Sequence, residues 1–197
     1  MAVDCSKISV GFTSEDCLSQ ATPGTAARVI LISHSDINKA TSEVTNNVIS
    51  DLILKTGAKA YEVDSLPDAT IGTDEINAGT YVNSHTHSVQ VRIFQKSEAA
   101  KKFINGLTNA LVVAIVENKD RGASGDTKYE VYGWNSGLSV SALTVSTEIT
   151  DGIAYDVTLS TGEDGREDSL PKSFFKTDEA TTDAAITSLL TRAPGSN

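Results

Sequence analysis

Two histidines, His85 and His87, stand two residues apart in the stretch NSHTHSVQVRIF. On a β-strand, side chains two residues apart point to the same face, with their backbones separated by about 6–7 Å. Imidazole nitrogens are common zinc ligands, so this spacing permits a shared metal ion. A zinc site needs further ligands, but His34 is distant in sequence, and Cys5 and Cys17 do not form a pair spaced for zinc. The sequence therefore favours two half-exposed strand histidines over a metal site, and no cofactor is expected.

Ser136 is a second candidate for chemistry, because it lies in the stretch GWNSG, residues 133–137. The nucleophile elbow of an α/β-hydrolase places one residue between the first glycine and the serine, and it joins a strand to a helix. Here two residues intervene, and the segment lies between two predicted strands. Ser136 is therefore not expected to be a nucleophile.

Neighbouring carboxylates are a third possible source of chemistry, and they occur at Asp74-Glu75 and Glu163-Asp164. A carboxyl group that works as a general acid at neutral pH usually needs burial or a close second charge. Both pairs lie in polar stretches, where solvated side chains are expected. A hydrolase with paired carboxylates is kept as a third alternative, and no enzyme activity is predicted.

The charge balance limits the class of partner. The chain has 26 Asp and Glu residues against 16 Lys and Arg residues, which gives a formal net charge of -10. Binding to nucleic acid depends largely on cations that meet phosphates, so this sign argues against a nucleic-acid-binding surface. Two interpretations of the excess acid remain open. It either forms a solvated face that aids solubility, or it lines a surface past which a polyanion moves without adhering.

The hydrophobic pattern predicts a mainly β (α+β) fold, either a β-sandwich or a small barrel, with one flanking helix and a C-terminal helix. A length of 197 residues suits one domain with a well-buried core. Ser97 is expected to cap the flanking helix, and Thr177 or Asp178 to open the C-terminal one. Strands are predicted at 28–33, 48–54, 58–63, 81–95, 111–116 and 153–159, with a hairpin over 129–147. The segments 48–54 and 58–63 are expected to pair with each other through a turn at Thr56-Gly57.

The polar segments divide the chain into three parts. Residues 1–27 are rich in Ser, Thr and Gly and predict an N-terminal arm. Residues 28–176 form the β domain, in which 64–80 is a polar connection long enough to suggest a functional excursion or a mobile hairpin. Residues 177–197 form a separate C-terminal helix and tail.

The sequence shows neither a signal peptide nor a membrane span, because no basic stretch precedes an apolar run and no window reaches about 18 apolar residues. Synthesis in a cytoplasm, without membrane partners, is therefore expected. In a reducing compartment, Cys5 and Cys17 are expected to be free thiols, and a disulfide between them is the alternative.

The order of these elements resembles the tail tube proteins of tailed bacteriophages, which are related to the tube proteins of contractile injection systems. The resemblance covers about residues 28–190. It consists of the long strand 81–95, the helix 97–109, the buried strand 111–116, the YEVYGWNSGLSV segment and the strand 153–159. This family has no catalytic signature, so the match rests on the order of the secondary-structure elements and on their residue types.

The resemblance implies six-membered rings whose inner sheets join into one barrel, stacked into a channel for DNA ejection. The chain would then be a structural virion protein that is made in the bacterial cytoplasm and located in the tail. Its partners would be further copies of itself, other phage tail proteins, and double-stranded DNA that passes through the lumen without specific binding. The helix after the last strand departs from the simplest pattern of the family; it would cap the outside or mark a tube-terminating relative.

Specific side chains follow from this resemblance. The acids expected to face the lumen are Glu130, Glu148, Asp151 and Asp156. In such proteins loops and arms join ring to ring, so the expected inter-ring contacts are Asp64, Asp68, Asp74 and Glu75. The 129–147 hairpin would contribute two strands to the wall of the shared barrel.

The second function hypothesis is a monomeric or dimeric β-sandwich that binds carbohydrate or acts as an adhesion module. In that case Tyr132 and Trp134 would form an exposed platform for a sugar ring. The two hypotheses differ in a simple observable, since the first predicts rings or tubes and the second predicts a small particle.

Overall fold

The computed structural model describes residues 21–80, 82–147, 152–162 and 167–191. The fold is mainly β, with two sheets packed face to face and two α-helices, which confirms the predicted β-sandwich with a flanking helix. The strands are β1 (Thr25–Ser33), β2 (Glu43–Thr45), β3 (Val48–Asp51), β4 (Tyr61–Asp64), β5 (Ile71–Asn77), β6 (Ser84–Ile93), β7 (Val112–Asn118), β8 (Tyr129–Tyr132), β9 (Ser139–Val145), β10 (Tyr155–Ser160) and β11 (Lys172–Phe174). The helices are α1 (Glu98–Leu107) and α2 (Glu179–Thr191), and a short 3-10 helix covers His34–Asp36.

The two sheets differ in size. The large sheet has seven strands in the order β2-β3-β11-β8-β7-β1-β4, and the small sheet has four in the order β5-β6-β10-β9. Neighbouring strands are antiparallel throughout, except that β11 and β3 are parallel. Each sheet joins pairs of consecutive strands, such as β7-β8 and β5-β6, through pairings between strands that are distant in sequence, such as β11-β3 and β6-β10. Short-range sequence patterns do not reveal these distant pairings.

The central strands β1 and β7 are buried on both faces and supply two separate cores. In β1, Val29 and Leu31 face the small sheet, whereas Ile30 and Ile32 face the opposite side. Alternation along a strand sends successive side chains to opposite faces, so an uninterrupted apolar run is needed where both faces are covered. This explains the runs RVILI and VVAIV in the sequence.

The first core lies between the sheets and includes α1. Ser97 caps this helix, with its hydroxyl accepting a hydrogen bond from the Ala100 amide at 3.1 Å. Ile104 and Leu107 turn inward and pack with Val89 and Val91 of β6. The predicted cap at Ser97 and the start of this helix are confirmed.

The second core lies on the other face of the large sheet, under α2. Asp178 accepts a hydrogen bond from the Thr181 amide at 2.8 Å, and Thr181 Oγ1 accepts one from the Asp178 amide at 3.2 Å, so the two residues cap the helix reciprocally. Ile186 and Leu189 pack against this core. The C-terminal helix is therefore part of the domain, and the expectation of a separate segment at 177–197 is wrong for α2.

Lys128 adds a polar attachment between α2 and the large sheet. Its ammonium donates to both carboxylate oxygens of Asp183, at 2.7 and 2.8 Å, and to Glu179 at 3.0 Å. Burial disfavours the charged ammonium, but the hydrogen bonds to Asp183 and Glu179 outweigh this effect and raise the pKa of Lys128. Tyr129 also donates to Asp183, at 2.8 Å.

Three predicted local features are wrong. The segments 48–54 and 58–63 do not pair, because β3 lies between β2 and β11 whereas β4 pairs with β1. The segment 64–80 is not a long irregular excursion, since residues 71–77 within it form β5, which pairs with β6 along seven residues. The segment 129–147 is not a hairpin, because β8 belongs to the large sheet and β9 to the small one. At the N-terminal side, β1 begins at Thr25, inside the predicted arm 1–27.

The role of α2 in the second core can be tested with Ile186→Ala. Ile186 is fully buried, so we expect the free energy of unfolding to fall by about 2–4 kcal/mol, the usual cost of truncating a core isoleucine. Urea denaturation followed by circular dichroism measures this change. Ser188→Ala, an exposed position in the same helix, is the control and should change the stability by less than about 0.5 kcal/mol. Equal, small effects would contradict the placement of α2 in a core.

Candidate functional site

Residues 133–137 carry the chain from the large sheet to the small sheet. Gly133 and Gly137 have φ angles of 73° and 77°, in the left-handed region that favours glycine. A side chain would not fit at either position, because a Cβ on Gly133 would lie 2.6 Å from Leu138 and one on Gly137 would lie 2.5 Å from Leu111. The Gly137 amide closes the turn by donating to the Gly133 carbonyl at 2.9 Å. We call residues 133–137 the crossover loop.

The crossover loop binds an internal carboxylate. Glu167 is 1% exposed, and its two oxygens accept hydrogen bonds from the Asn135 amide at 2.9 and 3.0 Å. One of these oxygens also accepts from the Ser136 amide at 2.8 Å. Consecutive backbone amides of this kind form an anion-binding concavity, and here the chain's own Glu167 occupies it. The sequence did not predict the buried role of Glu167, because this residue stands in an acidic stretch of the kind that is usually solvated.

His87 holds the start of the same loop. Its Nδ1 accepts a hydrogen bond from the Gly133 amide at 3.1 Å, so Nδ1 carries no proton. Its Nε2 donates to the Ser169 carbonyl at 3.0 Å. The ring is 1% exposed and meets Tyr132 edge to face, with 5.7 Å between the ring centroids. Both ring nitrogens therefore have hydrogen-bond partners when the ring is neutral.

The charged and titratable groups around His87 come from its own strand and from two other places in the fold. Asp74 Oδ1 on β5 lies 3.4 Å from His87 Nε2. His85 lies two residues before His87 on β6, and Glu167 lies in the segment after β10. Burial lowers the pKa of His87, and this effect outweighs the attraction of Glu167 and Asp74 for an imidazolium.

The predicted histidine pair lies on one face, but it does not make a metal site. His85 Nδ1 is 2.8 Å from Asp74 Oδ2, so both histidines contact the same carboxylate. No group of three His, Cys, Asp or Glu residues in the described ranges has an arrangement that could hold a metal ion. His87 is also fully buried, so the expectation of two half-exposed rings is wrong for this residue.

Tyr132 and Trp134 cannot form the predicted sugar platform, because each is only 5% exposed. The Tyr132 hydroxyl donates to Glu130 at 2.8 Å beneath the small sheet. Burial is the main cause that raises the pKa of Tyr132, and the negative charge of Glu130 raises it further. Trp134 packs in the second core. The aromatic residues of this segment hold the sheets in place instead of facing solvent.

The outer face of the small sheet is polar and rich in hydroxyl groups. Residues directly opposite each other in an antiparallel pair share a face, so the register places the residues outside the first core on this surface. They are Ile71, Thr73, Glu75 and Asn77 of β5, Ser84, Thr86, Ser88, Gln90 and Arg92 of β6, and Asp156, Thr158 and Ser160 of β10; apart from Ile71, all of these are polar. Asp156 accepts two hydrogen bonds from Gln90, at 2.8 and 2.9 Å, and lies 3.4 Å from Arg92.

The two outer strands of the small sheet each have one partner in the described part of the chain. β5 pairs with β6 alone, and β9 pairs with β10 alone. Each is seven residues long and carries exposed apolar side chains, with Ile76 on β5 at 66% and Val145 on β9 at 58%. Exposed edge strands of this kind invite pairing with another strand.

The structure separates the acids predicted to face a lumen. Asp156 lies on the outer face of the small sheet, opposite Arg92 of β6. Glu130 lies on the inner side of the large sheet, beside Gly72 and Tyr132 in a cavity of about 310 Å³. Glu148 and Asp151 lie outside the described residues.

The acids predicted to join rings are also in different environments. Glu75 is exposed on the outer face of β5, and Asp64 is exposed at the end of β4. Asp68 forms a salt bridge with Lys119, which lowers the pKa of Asp68, and it accepts a hydrogen bond from the Thr25 amide. Asp74 is largely buried against His85, which contradicts the expectation of a solvated side chain.

No family model, curated protein or solved structure matches this chain. Among the described residues, no helix is long and apolar enough to cross a membrane.

Protonation of His87 would place an N–H against the Gly133 amide, which gives a prediction about pH. The folded protein binds this proton less readily than the unfolded chain, so stability should decline as the pH falls below about 6.5, the usual pKa of histidine. We expect His87→Gln to flatten the dependence of the free energy of unfolding on pH between 7 and 5. Denaturation at several pH values measures this, and NMR titration of the ring gives an independent readout. An NMR pKa for His87 at or above its usual value would contradict the prediction.

Proposed function

We propose that the chain is the subunit of a closed ring whose small sheets join edge to edge, and that stacked rings form a tail tube through which phage DNA passes. The observation that supports this proposal is the small sheet itself, whose two edges have no neighbouring strand in the described part of the chain and whose outer face is mainly polar. A sheet edge presents unpaired backbone N–H and C=O groups, and these become satisfied when a neighbouring copy supplies the next strand.

The strand directions support head-to-tail joining. Three antiparallel steps separate β5 from β9, so these two edges run in opposite directions. A second copy, related by rotation about an axis roughly along the strands, would present its β5 antiparallel to the first copy's β9. Such a contact joins two different surfaces, and repeated contacts of this kind close into a ring when the rotation permits.

Apolar side chains at both edges add to the support. Ile76 of β5 and Leu143 and Val145 of β9 lie opposite residues of the first-core face, yet they are 40–66% exposed. Edge-to-edge joining would cover them and extend the first core from one copy to the next. Burial of apolar area contributes about 25 cal/mol per Å².

The two faces of the fold suit a tube wall. The hydroxyl-rich face of the small sheet would line the lumen, where Glu75 and Asp156 supply negative charge that each copy repeats. The large sheet and α2 would then lie on the outside. DNA would pass through this lumen without specific contacts, because the wall offers few cations.

Edge-to-edge joining is tested with two variants, Val145→Lys on β9 and Ile76→Lys on β5. Each places a charge within one proposed edge, so each should abolish rings while the subunit stays folded. Because each variant keeps one intact edge, a 1:1 mixture should form a heterodimer and nothing larger. Mass photometry and negative-stain microscopy measure the assemblies, and circular dichroism checks the fold.

Leu170→Lys is the matched control, since Leu170 is 57% exposed and belongs to neither edge. It should assemble like the wild type. A wild-type chain that stays monomeric at high concentration would refute the ring and favour a monomeric binding module. Self-association of Ile76→Lys into a stable dimer would instead indicate a symmetric contact through β9.

The lumen assignment is tested by adding charge to the outer face of the small sheet. The double variant Glu75→Lys with Thr158→Lys should assemble normally but retain double-stranded DNA at low salt, because it adds three positive charges per subunit. The control Glu98→Lys with Thr187→Lys adds the same charge on α1 and α2. Co-sedimentation of assembled particles with linear DNA measures retention.

We expect the small-sheet variant to retain DNA with a strong salt dependence, and the helix variant to retain much less. Equal retention by both variants, or retention by the helix variant alone, would contradict a lumen lined by the small sheet.

A further inference from the structure

A groove runs between the edge of the large sheet and the start of α1. It has a volume of about 480 Å³ and is lined by the β4 segment 62–66, residues 93–95 after β6, and one side of α1. The Ser65 hydroxyl donates to the Arg92 carbonyl at 2.6 Å and ties the two walls together. The lining is mainly apolar, with Leu66 on one side and Phe103 on the other.

The groove follows the outer edge of β4. In the described part of the chain, β4 pairs with β1 alone, so its outer edge lacks a neighbour. Within β4, Val63 faces the first core while Glu62 and Asp64 are exposed acids. An extended segment with apolar residues on one side and a cation on the other would fit this edge by strand addition.

The chain enters the fold beside this groove. The Ser65 amide donates to the Ala27 carbonyl at 2.6 Å, and the Asp68 amide donates to the Thr25 carbonyl at 3.1 Å. Residues 25–27 therefore run beside one end of the groove. Before them the chain lies against the loop after β7, where the Thr22 amide donates to Asp120 at 3.1 Å.

One stretch among residues 1–20 has the required pattern. Residues 7–13, KISVGFT, alternate apolar and small polar residues, with Ile8, Val10 and Phe12 in one row. The stretch carries one cation, Lys7, and no acid, which complements Glu62 and Asp64. The intervening residues 14–20 can span up to about 23–25 Å, well beyond the roughly 13 Å length of a four-residue strand.

We propose that residues 7–13 of the same chain occupy this groove as an added strand on the free edge of β4. The apolar row would cover Leu66 and Phe103, and Lys7 would lie near the acids of β4. This inference is independent of ring formation, because it concerns a contact within one subunit.

The test is hydrogen–deuterium exchange of the full chain carrying Val145→Lys, which keeps the subunit out of rings. Amides in 7–13 should exchange at least about tenfold more slowly than in an unstructured peptide of the same sequence. Ala99→Arg, which fills the groove from an exposed position on α1, should abolish this protection. Ala180→Arg, at an exposed position on α2, is the matched control and should leave the protection intact.

Unprotected amides in 7–13, or protection that survives Ala99→Arg, would overturn the proposal. Protection that appears only when the subunits assemble, in the chain without Val145→Lys, would also overturn it, because the occupant would then be the arm of another copy. Protection that is unchanged on tenfold dilution of the Val145→Lys chain supports a contact within one chain.

Discussion

The crossing between the two sheets is the constraint on which the rest of this structure depends. The chain leaves β8 in the large sheet and enters β9 in the small sheet within six residues, 133–138, so both sheets are fixed relative to each other at this point. The turn needs left-handed backbone at both of its glycines, and the amides of Gly133, Asn135 and Ser136 donate to side chains outside the turn. Glu167 and His87 satisfy those amides, and both side chains are buried. Buried polar groups of this kind stabilise one arrangement when fully paired and are costly when a partner is lost.

This crossing also decides what the small sheet can do. The segment from Glu167 onward returns the chain to the large sheet and places β11 between β8 and β3, where it continues towards α2. As a result, β5 and β9 are the edges of a four-stranded sheet, of which one face packs in the first core. The same arrangement produces the polar outer face, because the other face of each strand is committed to the first core. Assembly through these edges would thus follow directly from how the sandwich is closed.

The fold class was predictable from the sequence because it depends on local periodicity. The apolar runs of β1 and β7, the cap at Ser97 and the alternation of β10 each leave a pattern within a few residues, and each was confirmed. Strand pairing was less predictable, since β3 and β11 are distant in sequence and meet through parallel pairing. The sequence GWNSG suggested a tight hairpin, but a turn between two sheets uses the same glycines for the same backbone reason. The roles of Glu167 and Asp74 depend on burial by distant segments, which an acidic stretch does not reveal.

Cross-linking of the two edges tests the central claim, head-to-tail joining of the small sheets, most directly. In a chain with Cys5 and Cys17 replaced by serine, Thr73→Cys marks β5 and Ser141→Cys marks β9, both on exposed edge strands of the small sheet. With a short thiol cross-linker, the double variant should give a covalent ladder that ends at one closed ring size. Each single variant should give no cross-linked dimer, because each cysteine would face the other edge of its neighbour. Dimers from the Ser141→Cys variant alone, or the absence of any ladder from the double variant, would contradict the account.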